Sequence, residues 1–151
     1  MNSNGSQNNR KTEIAAAAAP ENAHFRTLVV DGNHFFTGFL EKFLETAQHF
    51  ILTADSAQDA IAKTRQFQPD LILLDSGLDG GNGLELLGEL LMEQASAAVI
   101  VMARQPSAAE AVEAMKMGAL DYLEQPLDPQ KLSQAIEIQK QLFKVQTAGE
   151  A

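Results

Sequence analysis

The chain has 151 residues, with 11 Lys+Arg against 20 Asp+Glu, a formal net charge of −9 and a pI of about 4.7. A chain this acidic has no global attraction to nucleic acid or to an anionic membrane, and with no cysteine it has no disulfide, zinc-thiolate site or thiol nucleophile. Its 45% apolar residues suffice for one ordinary core, and no apolar run approaches the ~18 residues of a membrane span. A soluble, cytoplasmic, single-domain protein is the expectation.

Residues 1–25 are rich in Asn, Ser, Gln and Ala, with little to bury beyond Ile14, and are expected to form a disordered tail. Arg10 and Lys11 precede Ala15 to Ala19, but five alanines make too short an apolar region for a secretory signal. The folded unit is expected over 26–145, with 146–151 frayed. Thr27 to Val30 is a short apolar run ending at Asp31-Gly32, the pattern of a strand buried on both faces. Phe36, Leu40 and Leu44, with Phe39 and Phe43 beside them, predict an amphipathic helix. A second strand is expected over 50–53. Ser56 then caps a helix that turns Ala57, Ala60 and Ile61 inward and ends before Pro69. Leu71 to Leu74 is a third buried strand, stopped at Asp75, and the glycine-rich loop after it leads into a helix with Leu84, Leu87 and Leu91. Residues 98–102 make the fourth strand. Pro106 and Ser107 open a helix read with Ala108, Ala111, Val112 and Met115 inward, closed by Gly118. A fifth strand is expected over 120–123, and a last helix over 129–144 burying Leu132, Ala135, Ile136 and Leu142.

Five strand–helix repeats in about 120 residues require a parallel sheet with helices on both faces. Such a sheet binds ligands beyond the carboxyl ends of its strands, at the topological switch point. The positions to inspect are therefore Asp31, Asp75, Ala103 and Gln125.

LVVDGN (28–33), QPDLILLDSGLDGGNGLELL (68–87), VIVMARQ (99–105) and AVEAMKMGALDYLEQPL (111–127) together resemble the CheY-like receiver domain of bacterial two-component response regulators, over the whole of 26–145. The resemblance implies a flavodoxin-like doubly wound sheet of strand order 2-1-3-4-5, an arrangement for which such a receiver is a standard example. It also implies a chemistry. An acidic pair after the first strand binds Mg²⁺, and an Asp ending the third strand takes phosphoryl from a histidine kinase. A hydroxyl ending the fourth strand and a Lys after the fifth grip the phosphate. By this resemblance Asp31 is the first acid and Asp75 the acceptor, while Gly32, Ala103 and Gln125 stand where the second acid, the hydroxyl and the lysine would be. Gly77 would lend a backbone carbonyl to the metal beside Asp31 and Asp75, and Tyr122 holds the aromatic switch position.

These departures have a physical cost. Mg²⁺ wants an octahedron of oxygens, usually including one or two carboxylates, so without an acid at Gly32 it would be held weakly, with water filling the gaps. At Gln125 the roughly −1.5 to −2 charge of an aspartyl phosphate meets a neutral amide instead of a charge-assisted donor, and Ala103 has no hydroxyl to move. The pocket sum of two carboxylates, −2, nevertheless equals that of the family's three carboxylates and one lysine. Gly32 is read as making room for the following helix. Asp55 and Asp79 are read as turn residues, and Tyr122 as a packed edge aromatic. His24, His34 and His49 are expected to be solvated or capping. Arg104 is expected to point outward, the alternative being that it folds over the site to pair Asp75 or a phosphate.

Three functions follow as expectations. The first is a pseudo-receiver, not an enzyme, docking proteins through the face built from its fourth helix, fifth strand and fifth helix, which carries Glu110, Glu113, Lys116, Tyr122, Lys131 and Lys140. The second is a regulator phosphorylated on Asp75 by a histidine kinase, as the receiver part of a transcriptional activator. Homodimerisation through the fourth and fifth helices is compatible with either. The third, a flavin or small-molecule enzyme, lacks a hydroxyl-rich phosphate loop and any readable nucleophile–base pair. Direct DNA binding is not expected within 1–151, since too few residues follow the last helix for a helix-turn-helix.

Overall fold

Strands that must be buried on both faces need apolar side chains at every position, and the central strands have them. The computed structural model describes residues 25–44 and 49–149, with side chains through residue 142. The expected N-terminal tail, apart from Phe25, and His24 lie outside the described residues. The elements are β1 (Phe25–Val30), α1 (His34–Leu44), β2 (His49–Ala54), α2 (Ala57–Phe67), β3 (Leu71–Asp75), a single turn over Leu78–Gly81, α3 (Gly83–Glu93), β4 (Ala98–Ala103), α4 (Ala108–Met117), β5 (Asp121–Glu124) and α5 (Pro129–Gly149). All four strand pairings are parallel and the sheet order is β2-β1-β3-β4-β5, the flavodoxin-like arrangement.

Because successive strand residues point to opposite faces, each central strand feeds two cores. Leu28, Val30, Ile72, Leu74, Val99 and Val101 face α2, α3 and α4, where Ala60, Leu86, Leu87, Leu90 and Ala114 cover them. Val29, Leu71, Leu73, Ile100 and Met102 face α1 and α5, covered by Leu40, Leu44, Leu132 and Ile136. The caps lie where the sequence places them. Ser56 accepts from the Asp59 N–H and Ser107 from the Glu110 N–H, each in extended backbone, and Gly118 closes α4 at φ 111°.

Four expectations are corrected. On α4, Val112 and Met115 are exposed and Ala114 is fully buried. Ala108, also read as inward, is exposed; the helix carries apolar residues around its circumference, and the small Ala114 faces the sheet, which permits close approach. On α5, Leu142 is exposed; a helix of 21 residues is roughly 31 Å long and overruns strands of roughly 20 Å. The helix also continues to Gly149, beyond the expected end near residue 144, with no breaker on the way. Lastly, His49 is buried, not solvated: its Nε2 lies 2.6 Å from Thr27 Oγ1, and Phe25 packs edge-on to its ring.

Candidate functional site

Register brings the strand ends together. Val30 pairs with Leu74, Asp75 with Met102, and Ala103 with Glu124, so Asp31, Asp75, Ala103 and Gln125 lie along one edge of the sheet. Two of them, Asp31 and Asp75, line an open cleft of about 310 Å³ together with Asp55, Asp79, Arg104 and Gly77, among others.

Asp31 follows β1 and is 1% exposed. Its Oδ1 accepts from the Asn33 N–H at 2.9 Å, while its Oδ2 is buried without a hydrogen-bond partner. Asn33 in turn caps α1, accepting from the Phe35 and Phe36 N–H groups at 3.1 and 3.2 Å. Gly32 is exposed, and a Cβ added there would meet only the Asp55 carbonyl oxygen, at 3.9 Å. It therefore makes no room for α1, contrary to expectation, and the position has space for a side chain.

Asp75 ends β3 and is 7% exposed. Its Oδ1 accepts from the Gly77 N–H at 3.0 Å. Burial pushes its carboxyl above the usual carboxylate range; Asp31 and Glu110 add to this, and the Gly77 N–H and Arg104 oppose it. The backbone beneath it is set by Gly83, where a Cβ would lie 2.4 Å from Ser76 Cα and 2.5 Å from the Asp75 carbonyl oxygen. Only glycine lets α3 start so close to the end of β3. The Gly77 carbonyl, expected to serve a metal, accepts from the Gly81 N–H at 3.3 Å and closes the intervening turn. Asp79 and Gly80 take left-handed backbone there, and Asp79 Oδ2 accepts from the Ala57 N–H at 3.3 Å, the turn role assigned to it.

The remaining residues are where the sequence departs from the family's pocket. Ala103 is fully buried at the end of β4. Arg104, the next residue, folds over the cleft instead of pointing outward. Its Nε donates to Gln125 Oε1 at 3.0 Å, and its Nη2 lies 3.6 Å from Asp31 Oδ1. The two carboxylates and this guanidinium sum to −1, not the −2 reckoned without it. No motif signals this arrangement; its only trace is an arginine placed directly after a strand that ends at the site. Tyr122 is half-buried and held at the start of α4, donating to Glu110 Oε1 at 2.8 Å and accepting from the Ser107 N–H at 3.3 Å. His34 is not free of partners either: its Nε2 lies 3.7 Å from Asp55 Oδ2.

Of the four carboxylates lining the cleft, Asp31, with a buried oxygen lacking a donor, and Asp75 stand at the strand ends, while Asp55 faces His34 and Asp79 accepts from the Ala57 N–H. Among the described residues there is no group of three or more acidic or imidazole side chains arranged to hold a metal, and no helix is long and apolar enough to cross a membrane.

A doubly wound five-stranded sheet with an aspartate ending β3 and a second after β1 defines a response-regulator receiver. The model for the response regulator receiver domain matches residues 27–137, and the chain belongs to that family. It is 31% identical over 113 residues to the protein PilH of Pseudomonas aeruginosa, covering 74% of this chain and 93% of that one. It is 29% identical over 119 residues to the transcriptional regulatory protein KdpE of Staphylococcus aureus, covering 79% of this chain and 51% of that one. The chain thus spans about half the length of KdpE. Among solved structures it resembles a response regulator protein from Burkholderia pseudomallei with a phosphorylated aspartic acid, a calcium ion and citrate, at TM-score 0.70 and 28% identity, covering 83% of this chain and 74% of that one. The chain is a receiver domain of the two-component response-regulator family.

Proposed function

We propose that this receiver acts mainly as a regulatory protein-interaction module, with a phosphorylation pocket of reduced competence, and that it works by docking rather than as an enzyme. The observation that carries the reading is the pocket itself: Gly32, Ala103 and Gln125 supply no carboxylate, hydroxyl or ammonium, and Tyr122 is tied to Glu110 and Ser107. Mg²⁺ would find Asp31 and Asp75 with water completing its shell, and would bind weakly. The docking surface is the face of α4, β5 and α5, where Val112, Met115, Leu120 and Ile138 are exposed beside Glu113, Lys116 and Lys131. Its partners are a histidine kinase or a downstream signalling protein, with homodimerisation through α4 and α5 using the same face.

A second reading rests on Asp75, which keeps the place, the near-complete burial and the Gly77 N–H contact of a poised carboxylate. On that reading the chain takes phosphoryl on Asp75, in a longer transcriptional activator. A ¹⁵N–¹H titration with Mg²⁺ and then beryllofluoride, which mimics an aspartyl phosphate, separates the two. The interaction-module reading expects changes at millimolar Mg²⁺ to be small, confined to Asp31, Asp75 and Gly77, and absent from Tyr122 and the α4–β5–α5 face. Saturable shifts spreading from Asp75 to Tyr122 would overturn it in favour of the second.

A further inference from the structure

We infer that Arg104 is a tethered counter-ion occupying the cation seat of the pocket, and that its pairing with Asp31 and the binding of a divalent cation exclude one another. The inference rests on the weak-pocket reading above and supplies a cause for it beyond the glycine at position 32.

Asp31 is a carboxylate with almost no contact with water, and burial of an uncompensated charge is costly unless a partner of opposite sign is near. Among the described residues its backbone donor is the Asn33 N–H, and the positive charge comes from Arg104 Nη2 at 3.6 Å. This arm is held in place. The planar guanidinium directs several N–H donors in a fixed fork, and a second branch, Nε, donates to Gln125 Oε1 at 3.0 Å. Gln125 is itself anchored. Its N–H donates to the Ala103 carbonyl at 2.7 Å, and its amide nitrogen lies 3.8 Å from Met102 Sδ. The chain thus ties β1, β4 and β5 together across the strand ends by way of one arginine, and the amide oxygen at 125 is the acceptor that docks it.

Asp55 and Asp79 also line the cleft, but Asp55 faces His34 and Asp79 accepts from the Ala57 N–H, so the pair left to a divalent cation is Asp31 and Asp75 at the strand ends. With the guanidinium on Asp31 the incoming +2 charge meets a site of net −1 instead of −2, and repulsion from a positive charge a few ångströms away opposes entry. Arg104 is about half exposed, so it can leave for solvent when a stronger cation takes its place. The unpartnered Asp31 Oδ2 marks where that cation would find a buried oxygen ready.

The test is Mg²⁺ affinity, read from amide shifts of Asp31 and Gly77, in the wild-type chain, Arg104→Gln and Gln125→Ala, with thermal unfolding of each in metal-free buffer and in saturating Mg²⁺. Arg104→Gln is expected to tighten Mg²⁺ about tenfold, and Gln125→Ala to tighten it by a smaller factor by loosening the arm. Metal-free Arg104→Gln is expected to melt below the wild type and to regain more from Mg²⁺ than the wild type does. Unchanged or weaker Mg²⁺ binding in Arg104→Gln would overturn the counter-ion role while leaving the weak-pocket reading intact, with position 32 as its cause. Tight Mg²⁺ binding by the wild type would instead overturn the weak-pocket reading itself.

Discussion

Asp75 carries a charge in a place that disfavours it. Its surroundings raise its carboxyl above the ordinary range, burial first, with Asp31 and Glu110 adding to it. A carboxyl that is harder to ionise in the folded chain than in the unfolded one costs stability whenever it is ionised. The penalty is absent below the unfolded pKa and is fully present once the pH has risen through the folded one. Asp75→Asn keeps an oxygen for the Gly77 N–H, now at 3.0 Å from Oδ1, and removes the charge. It is expected to raise the melting temperature at pH 7, with the gain shrinking as the pH falls to where the wild-type carboxyl is itself protonated. A melting temperature lowered by the substitution would mean that the Arg104 and Gly77 contacts outweigh burial.

Elements obey harder geometry than residues do, and two glycines make the point in opposite directions. Gly83→Ala would put a Cβ 2.4 Å from Ser76 Cα, against backbone that cannot turn aside, so α3 would be pushed off the end of β3. The expected cost is about 3 kcal/mol or more, seen as a lowered denaturation midpoint. Gly38→Ala, within α1 and with nothing inside 4 Å of the new methyl, is expected instead to stabilise by roughly 0.5–1 kcal/mol through helix propensity. Gly83 stands out in the sequence by its spacing, eight residues after Asp75, but its steric role beneath that residue is seen only in the packing. The Ser56 and Ser107 caps and the αL glycine at 118 were legible because each depends on local residue types that have few alternatives, whereas the strand order came with the resemblance to receiver domains. The inward face of α4 was not legible, because its apolar residues surround the helix and packing distance, rather than hydrophobicity, chose Ala114 over Val112 and Met115. The direction of Arg104 is hidden from the sequence for a related reason. It is decided by Gln125, 21 residues away in sequence and just beyond the end of the neighbouring strand, and no periodicity connects the two. The aspartates at the strand ends, by contrast, follow from strand position alone.

At the scale of the molecule, acid stability joins the two edges of the argument, since His49 and Asp75 respond to falling pH in opposite senses. His49 begins the edge strand β2, touches Thr27 and Phe25 on β1 and lies near Lys140 of α5. Burial, with the positive charge of Lys140 adding to it, lowers its pKa to about 4, and a hydrogen bond to the Leu44 backbone opposes the shift only in part. An imidazole that protonates less readily in the folded chain than in the unfolded one contributes stability that is fully present above about pH 6.5 and is lost as the pH falls to about 4. Because the side chain is 5% exposed, the loss is not screened away by solvent and amounts to about 3 kcal/mol across that window. Asp75 contributes the opposite slope, and protonation of other carboxylates relieves the repulsion of a chain that carries −9, so the wild-type curve alone does not isolate the histidine. The difference curve does. His49→Gln keeps a polar partner for Thr27 Oγ1 and cannot gain a proton in this range, and the distant carboxylates contribute equally to both proteins. Denaturant unfolding of the pair from pH 7 to pH 4 is expected to show the wild type losing about 3 kcal/mol more than the variant, with the two curves converging or crossing toward pH 4. Parallel curves would mean that the buried imidazole titrates at its ordinary value, and that the packing of β2 under α1 and α5 opens to water before the rest of the sheet.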